Sequence, residues 1–140
     1  SVCDEWKCFA AFKEWFDNQV YFNGWKLDKD ILVKGNKVYS PDTCCFVPNE
    51  VNVLFTKRQN CRGELPIGVQ YSTSKRRYKS GVRRDNNGVF LGYYSTPEEA
   101  FQAYKIAKEK WIKEVADKWK DKLDPKVYDA LYQYEVEITD

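Results

Sequence analysis

The stretch IGVQYSTSKRRYKSGVRRDNNGVFLGYY, residues 67–94, decides the reading of this chain. It divides into three short segments rich in β-branched and aromatic residues, about 67–72, 77–84 and 88–94. Between them stand Ser72-Thr73-Ser74-Lys75 and Asp85-Asn86-Asn87-Gly88, the second a strong hairpin signal because Asn and Gly tolerate positive φ. These segments predict a three-stranded antiparallel sheet. Strand alternation places Val69, Tyr71, Tyr78, Ser80, Val82, Val89, Leu91 and Tyr93 on an inward face. The open face then carries Gln70, Ser72, Arg77, Lys79, Arg83 and Phe90 beside Gly81, with Lys75, Arg76 and Arg84 at its edges.

Charge singles out the same region. The 140-residue chain has a net charge of only +2, but residues 61–95 carry seven basic and two acidic side chains. Residues 1–60 balance eight against eight, and residues 96–140 hold eight basic and eleven acidic. A positive field gathered in one short stretch is the expected footprint of a polyanion partner. On charge alone, a solvated basic hairpin without a partner remains open. The open face suits DNA chemically. Arg and Lys neutralise phosphates, Arg pairs with guanine and Gln with adenine in the major groove, and Phe90 supplies an apolar contact to a thymine methyl or a sugar.

A long helix is predicted after Tyr94. Ser95 or Thr96 caps it, Pro97 suits its first position, and Glu98 and Glu99 favour the positive end of its dipole. Ala100, Tyr104, Ala107, Trp111, Val115 and Trp119 form its apolar stripe, and Glu109/Lys113 and Glu114/Lys118 are expected to pair outside. Asp124-Pro125 ends it and opens a second helix, about 125–135, led by Val127 and Leu131.

Gly68-Val69-Gln70, the run from Tyr78 to Arg83, the run from Phe90 to Tyr94, and Ser95-Thr96-Pro97-Glu98-Glu99-Ala100 with Ala103 and Tyr104 follow in this order. Over about residues 66–108 the chain resembles the DNA-binding domain of plant ethylene-response factors, which also occurs in phage homing endonucleases. The resemblance implies a sheet that enters the major groove of double-stranded DNA, braced from behind by one helix. Where the family usually has Arg, Trp and often Glu, this chain has Gln70, Phe90 and Gly81, so base preference stays open. A sheet–helix module kept for packing or protein contact is the alternative.

Upstream, residues 3–17 read as a helix with Trp6, Phe9, Phe12 or Lys13, and Phe16 at helical spacing. A turn-rich segment from Leu27 to Pro48 follows, with Val38-Tyr39 as a short strand, and Asn49-Glu50 opens a short helix towards Phe55. Leu27-Asp28-Lys29-Asp30, the run from Tyr39 to Pro48, and Asn52 are similar in order to phage proteins of the His-Asn-His nuclease superfamily. That resemblance implies a metal-dependent endonuclease, whose chemistry uses a His as general base. The chain has no His. Asp28, Asp30, Asn36, Asn49 and Asn52 offer oxygen ligands for Mg²⁺, although turn and cap chemistry is the expected role of Asp28 and Asp30.

The expected architecture is therefore α+β. A degenerate nuclease-like module (1–58) is followed by a linker (59–66), a DNA-binding sheet and helix (67–122), and a C-terminal helix and tail (123–140). The expected function is double-stranded DNA binding of phage or prophage type, without catalysis, catalytic residues, cofactor or resident metal. Two alternatives are residual Mg²⁺-dependent endonuclease activity and a phage inhibitor binding a host protein, the latter motivated by the 16% aromatic content and the acidic tail. Neither a membrane span nor a signal peptide is expected. Cys3, Cys8, Cys44, Cys45 and Cys61 are odd in number, two of them adjacent, which suggests free thiols in the cytoplasm of a bacterial host. Without close C-x₂-C pairs or His, structural zinc is not expected.

Overall fold

In the basic stretch, a four-residue turn separates β-strands that pair in the predicted antiparallel order, and a helix of 23 residues follows them. The computed structural model describes residues 1–55, 64–84 and 87–140. Its α+β chain runs, in order, α1 (Phe9–Asp17), β1 (Lys26–Asp28), β2 (Cys45–Val47), α2 (Asn49–Asn52), β3 (Val69–Ser72), β4 (Arg77–Arg84), β5 (Asn87–Tyr94), α3 (Pro97–Trp119) and α4 (Pro125–Tyr132). Two compact units emerge: Ser1–Thr56 with Ile112–Tyr134, and Lys57–Trp111 with Glu135–Asp140. The long helix α3 thus begins in the second and ends in the first. Most of the expected linker, Cys61, and Asp85-Asn86 of the predicted turn lie outside the described residues.

In the first unit the expected single helix over 3–17 is broken. Asp4–Lys7 form one 3₁₀ turn, Cys8 is extended, and α1 starts only at Phe9. The break lets Trp6 fold back on α1, where its ring lies 4.9 Å from that of Phe12 and 4.6 Å from that of Trp15. Trp6 takes the place expected of Phe9, which is left 75% exposed. Trp15, Phe16 and Tyr21 continue the aromatic cluster onto Phe46 of β2. The turn-rich segment holds a pair not foreseen, β1 with β2, registered Leu27↔Phe46. Tyr39, expected in a strand, makes a single parallel bridge to Val2. Val51, Leu54, Ile112, Val115, Ala116, Leu123, Val127 and Leu131 are buried in this unit. Asp124 caps α4 by accepting from the Lys126 amide at 3.1 Å, and Pro125 fills the first helical position.

Asp28 is buried beside this core, 9% exposed. Its Oδ2 accepts from the amides of Asp30 (2.8 Å) and Ile31 (2.7 Å), closing the turn after β1. Burial nevertheless raises its carboxyl above the ordinary carboxylate range. A raised carboxyl favours the folded state as it protonates, so its contribution weakens as pH climbs from the unfolded value through the folded one. Asp28→Asn keeps the acceptor and drops the buried charge. We expect it to stay within about 1 kcal/mol of wild type at pH 7, whereas Asp28→Ala, which orphans two amides, should cost about 2 kcal/mol. Urea denaturation of both variants at pH 4 and 7 checks this, and only wild type should gain stability at the lower pH from this site.

In the second unit β3, β4 and β5 form one sheet in that order. Ser80, wholly buried on β4, donates from Oγ to the Ala100 carbonyl of α3 at 2.7 Å, pinning sheet to helix. Thr96 caps α3, its Oγ1 accepting from the Glu99 amide at 3.2 Å. Gly68, at φ +77, leaves room for the buried ring of Tyr104. A Cβ at Gly68 would fall 2.1 Å from Tyr104 Cδ2, so the Gly-Val step before β3 and the Tyr of α3 fit each other directly. The ion pairs formed on α3 differ from those expected. Lys105 pairs with Glu109 at 2.7 Å and Lys118, in the first unit, with Glu50 at 2.8 Å. Glu109 also accepts from the Val136 amide, which ties the tail to α3. Lys108 stands on α3 with its ammonium 4.3 Å from the Trp111 ring centroid, and burial pushes its pKa down to about 8. Among the described residues no helix is long and apolar enough to cross a membrane.

Candidate nucleic-acid interface

The open face of the sheet is built by cross-strand neighbours. Gln70 stands opposite Lys79, and Ser72 opposite Arg77. Gly81 pairs with Phe90, and Arg83 with Gly88. Gln70, Arg77, Lys79, Arg83 and Phe90 are exposed and Ser72 is half-buried, while Val69, Ser80 and Val82 are buried on the opposite side. Lys75 and Arg76 extend the basic surface through the first turn, where Arg76 holds the left-handed conformation at φ +53. Asn87 and Gly88, read as turn residues, are the first residues of β5.

Two residues expected inward, Leu91 and Tyr93, depart from simple alternation. Tyr93 was expected inward with Val89 and Leu91, but it pairs with Lys79 and joins the open face, 38% exposed. The cause is a bulge. Ser80 pairs with Gly92 and Gly81 with Phe90, so Leu91 is the extra residue and the parity of β5 changes across it. Gly92 takes φ +147 there, a conformation reserved for glycine, and its missing Cβ leaves space against the Tyr94 ring. Tyr71, expected inward, does lie on the inward face opposite Tyr78, yet at that end of the sheet it is 51% exposed. Arg84 turns away from the other cations, with its guanidinium 5.8 Å from the Trp111 ring centroid.

The resulting surface is cationic with an aromatic edge. Phe90 and Tyr93 lie with ring centroids 5.1 Å apart, and the Lys79 ammonium is 5.8 Å from the Phe90 centroid. Among the described residues, none of Lys75, Arg76, Arg77, Lys79 and Arg83 makes an ion pair. Over Gly81 the face sinks into a trough of about 400 Å³, lined by Gln70, Lys79, Arg83, Gly88 and Phe90. Lys79 and Arg83 flank Gly81 along β4, about 13 Å apart at the backbone by strand rise. That span is close to the roughly 12 Å width of the B-DNA major groove.

The oxygen-bearing side chains of the first unit are engaged in its own loops. Asp28 closes its turn, Asp30 pairs with Lys29 at 2.6 Å, and the Asn36 amide donates to the carbonyls of Lys29 and Val38. Asn49 and Asn52 lie on α2, exposed and half-buried respectively. Among the described residues no three His, Cys, Asp or Glu side chains are grouped to hold a metal ion. Cys3, Cys8, Cys44 and Cys45 are free thiols, and burial pushes Cys45 up to about 12. Comparison of the chain with models of protein families, with curated proteins and with solved structures found no match.

Proposed function

We propose that the chain binds double-stranded DNA by seating the open face of β3–β5 in the major groove, and that it binds without catalysis. The observation that carries this reading is the set of five cations, Lys75, Arg76, Arg77, Lys79 and Arg83, exposed on one sheet and its turn with no carboxylate of the described residues paired to them. Clustered exposed cations repel one another and gain from a polyanion. The spacing of Lys79 and Arg83 lets β4 cross the groove with a cation directed at each phosphate wall. The aromatic pair and Gln70 then meet base edges. The absence of histidine from the whole chain removes the usual general base of the nuclease alternative.

Titration of a labelled duplex at several salt concentrations tests the reading. If all five cations meet phosphates, log K falls against log salt with a slope of about −4.5, and Arg83→Ala makes the slope shallower by about 0.9. Circular dichroism should show that variant folded, since the Arg83 side chain is exposed and the pairing of Arg83 with Gly88 is made by the backbone. Affinity indifferent both to salt and to Arg83→Ala would remove the sheet face from the account.

A further inference from the structure

The trough over Gly81 extends the duplex-binding reading, on which the following rests, from binding to selection among base pairs. Its two walls differ in chemistry. Gln70 on β3 brings a primary amide, and Phe90 on β5 brings a ring that is 55% exposed. They stand diagonally across β4, where Gly81 contributes no side chain and Gly88 leaves a second gap opposite Arg83. A side chain at Gly81 would meet the Val89 carbonyl oxygen at 3.2 Å from its Cβ, so the hollow depends on the glycine. At about 400 Å³ it has room for the edge of a base pair.

The major-groove edge of an A·T pair offers N7 and N6–H₂ on adenine, then O4 and the C5-methyl on thymine. An amide both donates and accepts, so Gln70 matches the adenine edge in a two-bond arrangement, and the ring of Phe90 matches the methyl. A G·C pair offers two adjacent acceptors on guanine, then the N4–H₂ donor of cytosine, and no methyl. In the pose that fits adenine, the amide oxygen of Gln70 would face guanine O6, acceptor against acceptor, with the cytosine donor displaced across the groove, and Phe90 would lie against a bare C–H. Lys79 and Arg83, at either end of the trough, are placed for phosphates. We infer that the Gly81 trough is a seat for an A·T pair, with Gln70 on the adenine and Phe90 on the thymine methyl.

Selection of the full chain against a library of randomised duplexes tests this. It should enrich a site with an A·T pair whose exchange for G·C weakens binding about tenfold. Replacing that thymine by deoxyuridine, which lacks only the methyl, should weaken binding about three- to fourfold, and Phe90→Ala should erase the difference between the two bases. Gln70→Arg should move the preference at that position to G·C. An enriched site in which neither the uridine exchange nor Gln70→Arg has any effect overturns the inference. Salt-dependent duplex binding with no sequence enriched overturns the inference and leaves the duplex reading standing. No binding to duplex even at low salt overturns both.

Discussion

Gly68→Ala is expected to destabilise the sheet-and-helix unit by about 3 kcal/mol, combining the left-handed backbone penalty with overpacking. The backbone at Gly68 sits at φ +77, and an added Cβ would overlap Cδ2, Cγ and Cε2 of Tyr104 at 2.1, 2.4 and 2.8 Å. Tyr104 cannot give way easily, because its ring is buried on α3. A loss of this size is a large share of the stability of an ordinary domain and corresponds to a fall in melting temperature of roughly 15 °C. Thermal denaturation followed by circular dichroism measures it. If the overlap is the cause, Gly68→Ala with Tyr104→Val should be less destabilised than the sum of the two single variants, with a coupling of about 1 kcal/mol or more. A melting temperature within a degree or two of wild type would show that the glycine is not needed where β3 meets α3.

Lys108→Met is expected to act in the other direction, stabilising the protein by about 2 kcal/mol at pH 7. Lys108 is half-buried, no ion pair among the described residues neutralises it, and burial pushes its pKa down to about 8. Its contact with Trp111 returns part of the cost of burying the ammonium, which is why the full shift is not recovered. Below pH 8 the lysine is charged in both states, and the penalty is fully present. Between about 8 and the ordinary lysine value near 10.5 the unfolded chain holds the proton and the folded one releases it, so wild-type stability rises with pH. The methionine variant should lack this rise. Chemical denaturation of both proteins from pH 7 to 10.5 should show the two curves converging. Parallel curves would mean that Lys108 keeps its proton and its water in the folded state.

The sequence was most legible where one local rule decided the outcome. The Thr96-Pro97-Glu98-Glu99 start of α3 and the Asp124-Pro125 start of α4 were readable because a capping oxygen and a proline act within one turn. The polar/apolar alternation of β3 and β4 placed Gln70, Arg77, Lys79 and Arg83 outward, as the ladder has them. Tyr93 was misplaced because a bulge adds one residue to the count, and nothing in a run of Phe-Leu-Gly-Tyr-Tyr states which strand will carry it. Glycine was the available signal: Gly92 at φ +147 lies at the point where pairing skips Leu91. The β1–β2 pair leaves no mark in the sequence because three-residue strands are too short to show a period. Phe9 was misassigned because the helix of 3–17 breaks at Cys8, where tertiary packing of Trp6 overrides local propensity.

The skipped residue at Leu91 has a consequence for how this surface could change over time. Loss of that one codon would give a bulge-free strand with the same facing, Gly92 opposite Ser80, Tyr93 opposite Lys79 and Tyr94 opposite Tyr78, so Phe90, Tyr93 and every cation of β4 would stay on the open face. The strand can therefore lose this residue without re-aiming the aromatic rim or altering the electrostatics. A one-residue deletion at a paired position of β5 would instead turn the side chains beyond it to the other face, which makes Leu91 the point where length can vary at constant surface chemistry.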